Sequence, residues 1–247
     1  MVALEGPKMT LISPALAILI DLTHTIHPEI PTWEGTCGFS QTITVDYHTY
    51  PEAHCRIQNL SLFSGLGTHI DAPAHCIKNG ITIEQIPLEK LYVPVCVIDV
   101  SAHTDQNYRI SAQDVLTYEQ KYGPIMPNSF VIGYTGWERH WQTPAAYRNA
   151  DATENIHFPG FSLEAARLLL ERAIVGIGID TLSPDGADLT FPVHKAILGA
   201  GCYIVENIAH AGKLAPSGAQ IVVMPLKIQN GTESPARVIA IINNDLR

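Results

Sequence analysis

Positive charge is scarce in this 247-residue chain: Lys and Arg number 15 against 24 Asp and Glu, and charged residues make up only 16%. No basic stripe is present, so nucleic acid is not an expected partner. The net charge of −9 bears on solubility rather than on function. Cysteine is equally unhelpful for building structure. The thiols Cys37, Cys55, Cys76, Cys96 and Cys202 are odd in number, widely spaced and free of any C-x-x-C pair. That pattern speaks against a disulfide framework or a zinc finger and fits a reducing cytoplasm. Cys76, next to His75, reads either as a reactive thiol or as a buried structural one.

Long apolar runs are missing too. None reaches the roughly 18 residues of a membrane span, so no membrane association is expected. Leu11–Ile20 follows Lys8 but is short, contains Pro14 and enters Asp21 without a small-residue cleavage site. Residues 1–16 therefore read as a loose leader rather than a signal peptide, with a single domain over 17–247. There is no G-x-S-x-G elbow, no G-x-x-x-x-G-K-[ST] loop and no G-x-G-x-x-G turn. Serine-elbow hydrolases, P-loop enzymes and dinucleotide binders are thereby set aside.

Apolar residues, at 46%, are plentiful enough for a substantial core. Runs rich in β-branched residues predict strands at Ala17–Leu22, Thr42–Asp46, Val93–Asp99, Phe130–Tyr134, Ile174–Ile179, Cys202–Glu206, Ile221–Leu226 and Arg237–Ile242. Several are continuously apolar, as in strands covered on both faces. Helical patterns fall at Ser111–Lys121, Ser162–Arg172 and Pro192–Leu198. The predicted architecture is α/β: a single domain with a mixed, barrel-like β core flanked by few helices.

The chemistry concentrates in Gly67-Thr68-His69-Ile70-Asp71-Ala72-Pro73-Ala74-His75. Residues two apart on an extended chain share a face. His69 and Asp71 can therefore present an imidazole and a carboxylate to one cation, of a kind such as Zn²⁺ or Mn²⁺. Pro73 ends the extended run and turns the chain, which leaves His75 beside the metal as a general base or proton shuttle. Gly67 lets the backbone pass close to the ion, and Thr68 is placed to orient a ligand.

This run resembles the G-T-H-x-D-x-P-x-H signature of the cyclase-like hydrolase family, which includes bacterial kynurenine formamidases and isatin hydrolases. The likeness extends along the chain. Asp21-Leu22-Thr23-His24 and Pro31-Thr32-Trp33 are similar to the family's opening, and Thr135-Gly136-Trp137 to a mid-chain pocket segment. Phe158–Ser162, Gly178–Ser183, Pro225–Ile228 and Ser234–Arg237 resemble later blocks. The resemblance implies a cyclase-like, swivelling β/β/α fold and a divalent metal, Zn or Mn; the departure at Gly65 described below makes one ion the expectation rather than two. It implies His194 and Glu206 as further ligands beside His69 and Asp71, and a homodimer or homotetramer. The implied reaction is hydrolysis of an amide-type C–N bond, a formamide or lactam, in a small aromatic or cyclic substrate. His75 serves as the base, and Trp33, Phe63 and Trp137 are candidate pocket walls.

One position departs from the pattern. The family carries a histidine four residues before the one matching His69, and this chain has Gly65 there. Three outcomes stay open: one metal on His69, Asp71, His194 and Glu206 with water in the gap; a histidine such as His54, His24 or His48 entering from elsewhere; or a protein that binds a small molecule without turnover.

Overall fold

A computed structural model describes residues 17–243 apart from 51, 53 and 104. The leader expected over residues 1–16 lies outside them. The chain order is β1 (Ala17–Asp21), β2 (Phe39–Val45), β3 (Ile57–Leu62), β4 (His69–Asp71), α1 (Leu88–Leu91), β5 (Tyr92–Asp99), β6 (Arg109–Ile110), α2 (Ala112–Tyr122) and β7 (Phe130–Tyr134). It continues through α3 (Pro144–Arg148), β8 (Gly160–Phe161), α4 (Leu163–Glu171), β9 (Gly176–Ile179), α5 (Pro192–Gly199), β10 (Tyr203–Glu206), β11 (Ala219–Pro225) and β12 (Glu233–Asn243).

The main sheet runs β1-β12-β11-β5-β7-β9-β10-β4, and β12 pairs again with β4. That second pairing closes seven strands into a ring, with β1 attached outside it. Pairings from β5 through β7 and β9 to β10 are parallel, and the others antiparallel. The mixed, barrel-like core expected from the sequence is the observed one.

Alternation along the strands explains why the runs are apolar throughout. Val93, Val95 and Val97 of β5 join Phe130, Ile132, Val205, Ile221 and Val238 in one core. Cys96 and Ile98 of the same strand join Val131, Ile177 and Ile204 beneath the helices, where Val115, Ala166 and Ile197 close the second core. Both faces of the central strands are thus covered. Local caps set the helix starts. Ser111 and Asp114 form a reciprocal capping box at α2, and the Ser162 hydroxyl accepts from the Ala165 amide at 3.1 Å to start α4.

Phe130 locks the ring. It is fully buried, and its ring stacks on Tyr203 with centroids 5.3 Å apart. A Cβ on Gly178 would strike it, so the small residue on β9 is what admits the aromatic. Phe130→Ala is expected to cost about 3–5 kcal/mol, read as a lowered urea midpoint with little change in slope.

The β2–β3 hairpin stands apart as its own two-stranded sheet, with Ile43, Ile57 and Leu60 exposed. Its last strand leads through Phe63 and Ser64 into β4. Among the described residues, no helix is long and apolar enough to cross a membrane.

Candidate metal centre

The three residues of β4 lie between two other strands, and the two registers assemble the centre. His69 stands opposite Glu206 of β10, and Asp71 stands opposite Glu233 of β12. Directly opposed residues share a face of the sheet, as do residues two apart on one strand. His69, Asp71, Glu206 and Glu233 therefore point the same way. Helix α5 adds His194 in its first turn.

The contacts form a closed circuit. His69 Nε2 lies 3.5 Å from Asp71 Oδ1 and 3.3 Å from Glu206 Oε2. His194 Nε2 lies 3.6 Å from Asp71 Oδ2 and 3.3 Å from Glu206 Oε1. Each carboxylate thus turns one oxygen to each imidazole. The four residues expected around one cation are divided between two overlapping groups, Asp71-His194-Glu206 and His69-Asp71-Glu233, whose ligand atoms lie within 4.8 Å of one another.

Both imidazoles are oriented from behind. His69 Nδ1 is 2.8 Å from the Gly67 carbonyl oxygen, and His194 Nδ1 is 2.6 Å from Asp185 Oδ2. A proton on each Nδ1 donates to that acceptor, which leaves the Nε2 lone pairs facing the carboxylates. Asp71 is buried, and among the described residues neither of its oxygens has a hydrogen-bond donor. Lone pairs opposed across 3.3–3.6 Å are stable only with positive charge between them. A divalent cation with nitrogen and oxygen ligands fits that demand.

The electrostatics say the same. Burial works against a charged His69, but Asp71 and Glu206 outweigh it and raise its pKa to about 10. His194 is likewise raised despite its burial, by Asp185, Asp71 and Glu206. Burial, and then the charge of Glu206, push the Asp71 carboxyl up. Glu206 is also opposed by burial, yet its bonds to His194 and His69 bring it below its ordinary value.

Asp185 was not legible as part of the site. It accepts from the Val193 and His194 amides, at 2.6 and 3.0 Å, as well as from the His194 ring. It thereby caps α5 and aims its ligand in one stroke. Asp185→Asn, which cannot accept all three bonds, is expected to weaken metal binding about 10–100-fold, measured by calorimetric titration. Asn207 was also missed. Its side chain donates to the Gly67 carbonyl at 2.9 Å and accepts from the Tyr147 hydroxyl at 2.9 Å, holding the peptide that orients His69.

A cavity of about 620 Å³ opens onto these groups, with Trp33, Phe63, His75, Phe191 and Glu233 on its walls. His75 sits in a 3₁₀ turn after Pro73, its ring centroid 5.8 Å from that of His194. Its Nδ1 is 3.5 Å from Glu233 Oε2, and that hydrogen bond raises its pKa. Cys76 also lines the cavity, with burial pushing its thiol up. Trp33 and Phe63 lie where pocket walls were expected, but Trp137 does not. It is buried against Trp141 and Tyr147, and its indole N–H is satisfied by the Tyr147 carbonyl at 2.8 Å. The Thr-Gly-Trp segment turns inward because Thr135 is tied to buried Asp180 by two 2.8 Å bonds.

Among the described residues, no histidine enters to replace the one absent at Gly65. His24 is stacked on Trp141 at 3.8 Å, and burial holds its pKa down at about 3. His48 and His54 are exposed. The residue beside Gly65 is Glu233.

Comparison with known proteins finds related chains over most of its length. A relative from Roseibium aggregatum, an isatin hydrolase, is 34% identical over 97% of each chain. A kynurenine formamidase from Salinibacter ruber is 26% identical, over 90% of this chain and 96% of its own. The solved structure of isatin hydrolase A from Ralstonia solanacearum superposes with a TM-score of 0.85 at 29% identity, covering 97% of this chain and all of that one. The Cyclase family model matches residues 20–186, and with these likenesses along its length the chain belongs to that family of metal-dependent hydrolase relatives.

Proposed function

We propose that this chain is a metal-dependent hydrolase that cleaves an amide-type C–N bond, a formamide or lactam, in a small aromatic or cyclic substrate. The observation that carries the reading is buried Asp71, whose two oxygens have no donor among the described residues and each lie near one imidazole nitrogen, of His69 and of His194. The names of the isatin hydrolase and kynurenine formamidase relatives support the class of bond.

Asp71, His194 and Glu206 would hold the cation, Zn or Mn. Such an ion, when bound, polarises a carbonyl oxygen and lowers the pKa of water. His75, on the cavity wall, takes the proton of the attacking water and returns it to the leaving nitrogen. Trp33 and Phe63 flank a planar substrate, and the 620 Å³ cavity is within the range of small-molecule sites. A cytoplasmic, homodimeric or homotetrameric protein belongs to the same proposal; the five free cysteines support the reducing setting.

The test is metal analysis of protein purified without chelators, followed by assay on isatin, an aryl formamide, an aryl ester and a lactone. The expected result is stoichiometric metal with turnover of the lactam or formamide. Hydrolysis of only the esters would move the reading to another bond. Binding without metal or turnover would make the protein a small-molecule binder.

A further inference from the structure

We propose that Glu233 is a metal ligand in this chain, holding a second divalent cation with His69 and Asp71 in the space that Gly65 leaves open. The inference rests on the hydrolase reading above and extends its ligand set.

Three observations converge. The first is steric. A Cβ built on Gly65 would collide with Glu233 Oε1 and would lie 3.4 Å from His69 Nε2. A side chain at position 65 and the Glu233 carboxylate therefore compete for one volume, directly beside the His69 lone pair. Glycine there gives the carboxylate its room. The second is register. Glu233 opens β12 opposite Asp71 on β4, so the sheet itself delivers the carboxylate to the face that carries His69 and Asp71. The third is the pattern of hydrogen bonds. Ser64 Oγ donates to Glu233 Oε2 at 3.0 Å, and His75 Nδ1 lies 3.5 Å from that same oxygen. Oε2 is thus fixed from behind, and Oε1 is the oxygen turned toward Gly65 and His69.

Asp71 supplies the independent sign that a cation belongs here. It is 1% exposed, and Oδ1, its oxygen on the His69 side, has no donor among the described residues. If only the Asp71-His194-Glu206 group held an ion, Oδ1 would face His69 Nε2 at 3.5 Å with nothing between them but a proton. Glu233 would add another negative charge beside that pair. A hard or borderline divalent cation with one imidazole and two carboxylate ligands resolves the arrangement, and Asp71 then serves both positions.

The experiment titrates chelator-stripped protein with Mn²⁺ and separately with Zn²⁺, by calorimetry and by elemental analysis after dialysis. Mn²⁺ spectra from electron paramagnetic resonance give a readout independent of turnover. Wild type is expected to bind two ions per chain, with an exchange-coupled Mn²⁺ pair. Glu233→Gln, which keeps the size and the Ser64 bond, should retain one ion and weaken the other at least about tenfold. Gly65→Ala, whose Cβ displaces the carboxylate while Glu233 itself is unchanged, should lose the same ion. Two ions at wild-type affinity in both variants would overturn the proposal. So would a single wild-type ion that Glu233→Gln leaves unchanged; Glu233 would then serve His75 alone, and the hydrolase reading would stand. Absence of any bound ion in wild type would remove that reading and this one together.

Discussion

Asp71→Asn is expected to abolish stable metal binding and to lower kcat/KM by at least about a thousandfold, or about 4 kcal/mol of transition-state stabilisation. Asp71 is the residue that both ligand groups share, and it lies between His69 and His194 at 3.5 and 3.6 Å. An amide of the same shape presents at most one acceptor, so neither group keeps its full set. The loss should come without unfolding. Burial and the charge of Glu206 already disfavour the Asp71 carboxylate, so its neutral replacement is tolerated by the stripped protein. Thermal melts with and without added Mn²⁺ separate the two effects. Wild type gains stability with metal, by about 2.7 kcal/mol at a hundredfold excess over Kd, and the variant gains none. A variant that still melts higher with metal would displace Asp71 from the centre.

His75→Ala carries the second large effect, in the opposite pattern: metal content unchanged and kcat reduced about 10²–10⁴-fold. His75 shares the cavity with the ligands but belongs to neither ligand group. Its bond to Glu233 raises its pKa, which makes the imidazole a stronger proton acceptor. Added imidazole, small enough for the vacated space, should restore part of the rate. Loss of an ion on mutation would instead assign His75 to the metal. Activity near wild type would take the proton transfer away from it.

The barrel was largely legible because its strands carry apolar residues on both faces; Val131 and Ile132 of β7 enter different cores. The hairpin strand Ile57–Leu62 was not legible. Its Gln58, Asn59 and Ser61 give no buried face, and it is a strand only because β2 pairs with it. In the site, His69, Asp71 and His75 announced themselves by local spacing, and His194 and Glu206 through family resemblance. Glu233 and Asp185 lacked any local mark. Glu233 reaches the centre through strand register, and Asp185 through a loop that folds back onto the start of α5. Trp137 misled because an aromatic after a strand end can face a pocket or the core, and the Asp180–Thr135 bonds choose the core.

β4 is only three residues long, yet it takes its partners from β10 on one edge and β12 on the other. Side chains alternate along a strand, so one residue added or removed within β10 or β12 on the site side would turn Glu206 or Glu233 to the opposite face. Loops between these strands can lengthen at small cost, whereas the strands themselves cannot change length by a single residue and keep the centre. Descendants of this chain are therefore free to vary in the connections that shape the cavity, while the distance along the backbone from each ligand to its sheet partners is held to the residue.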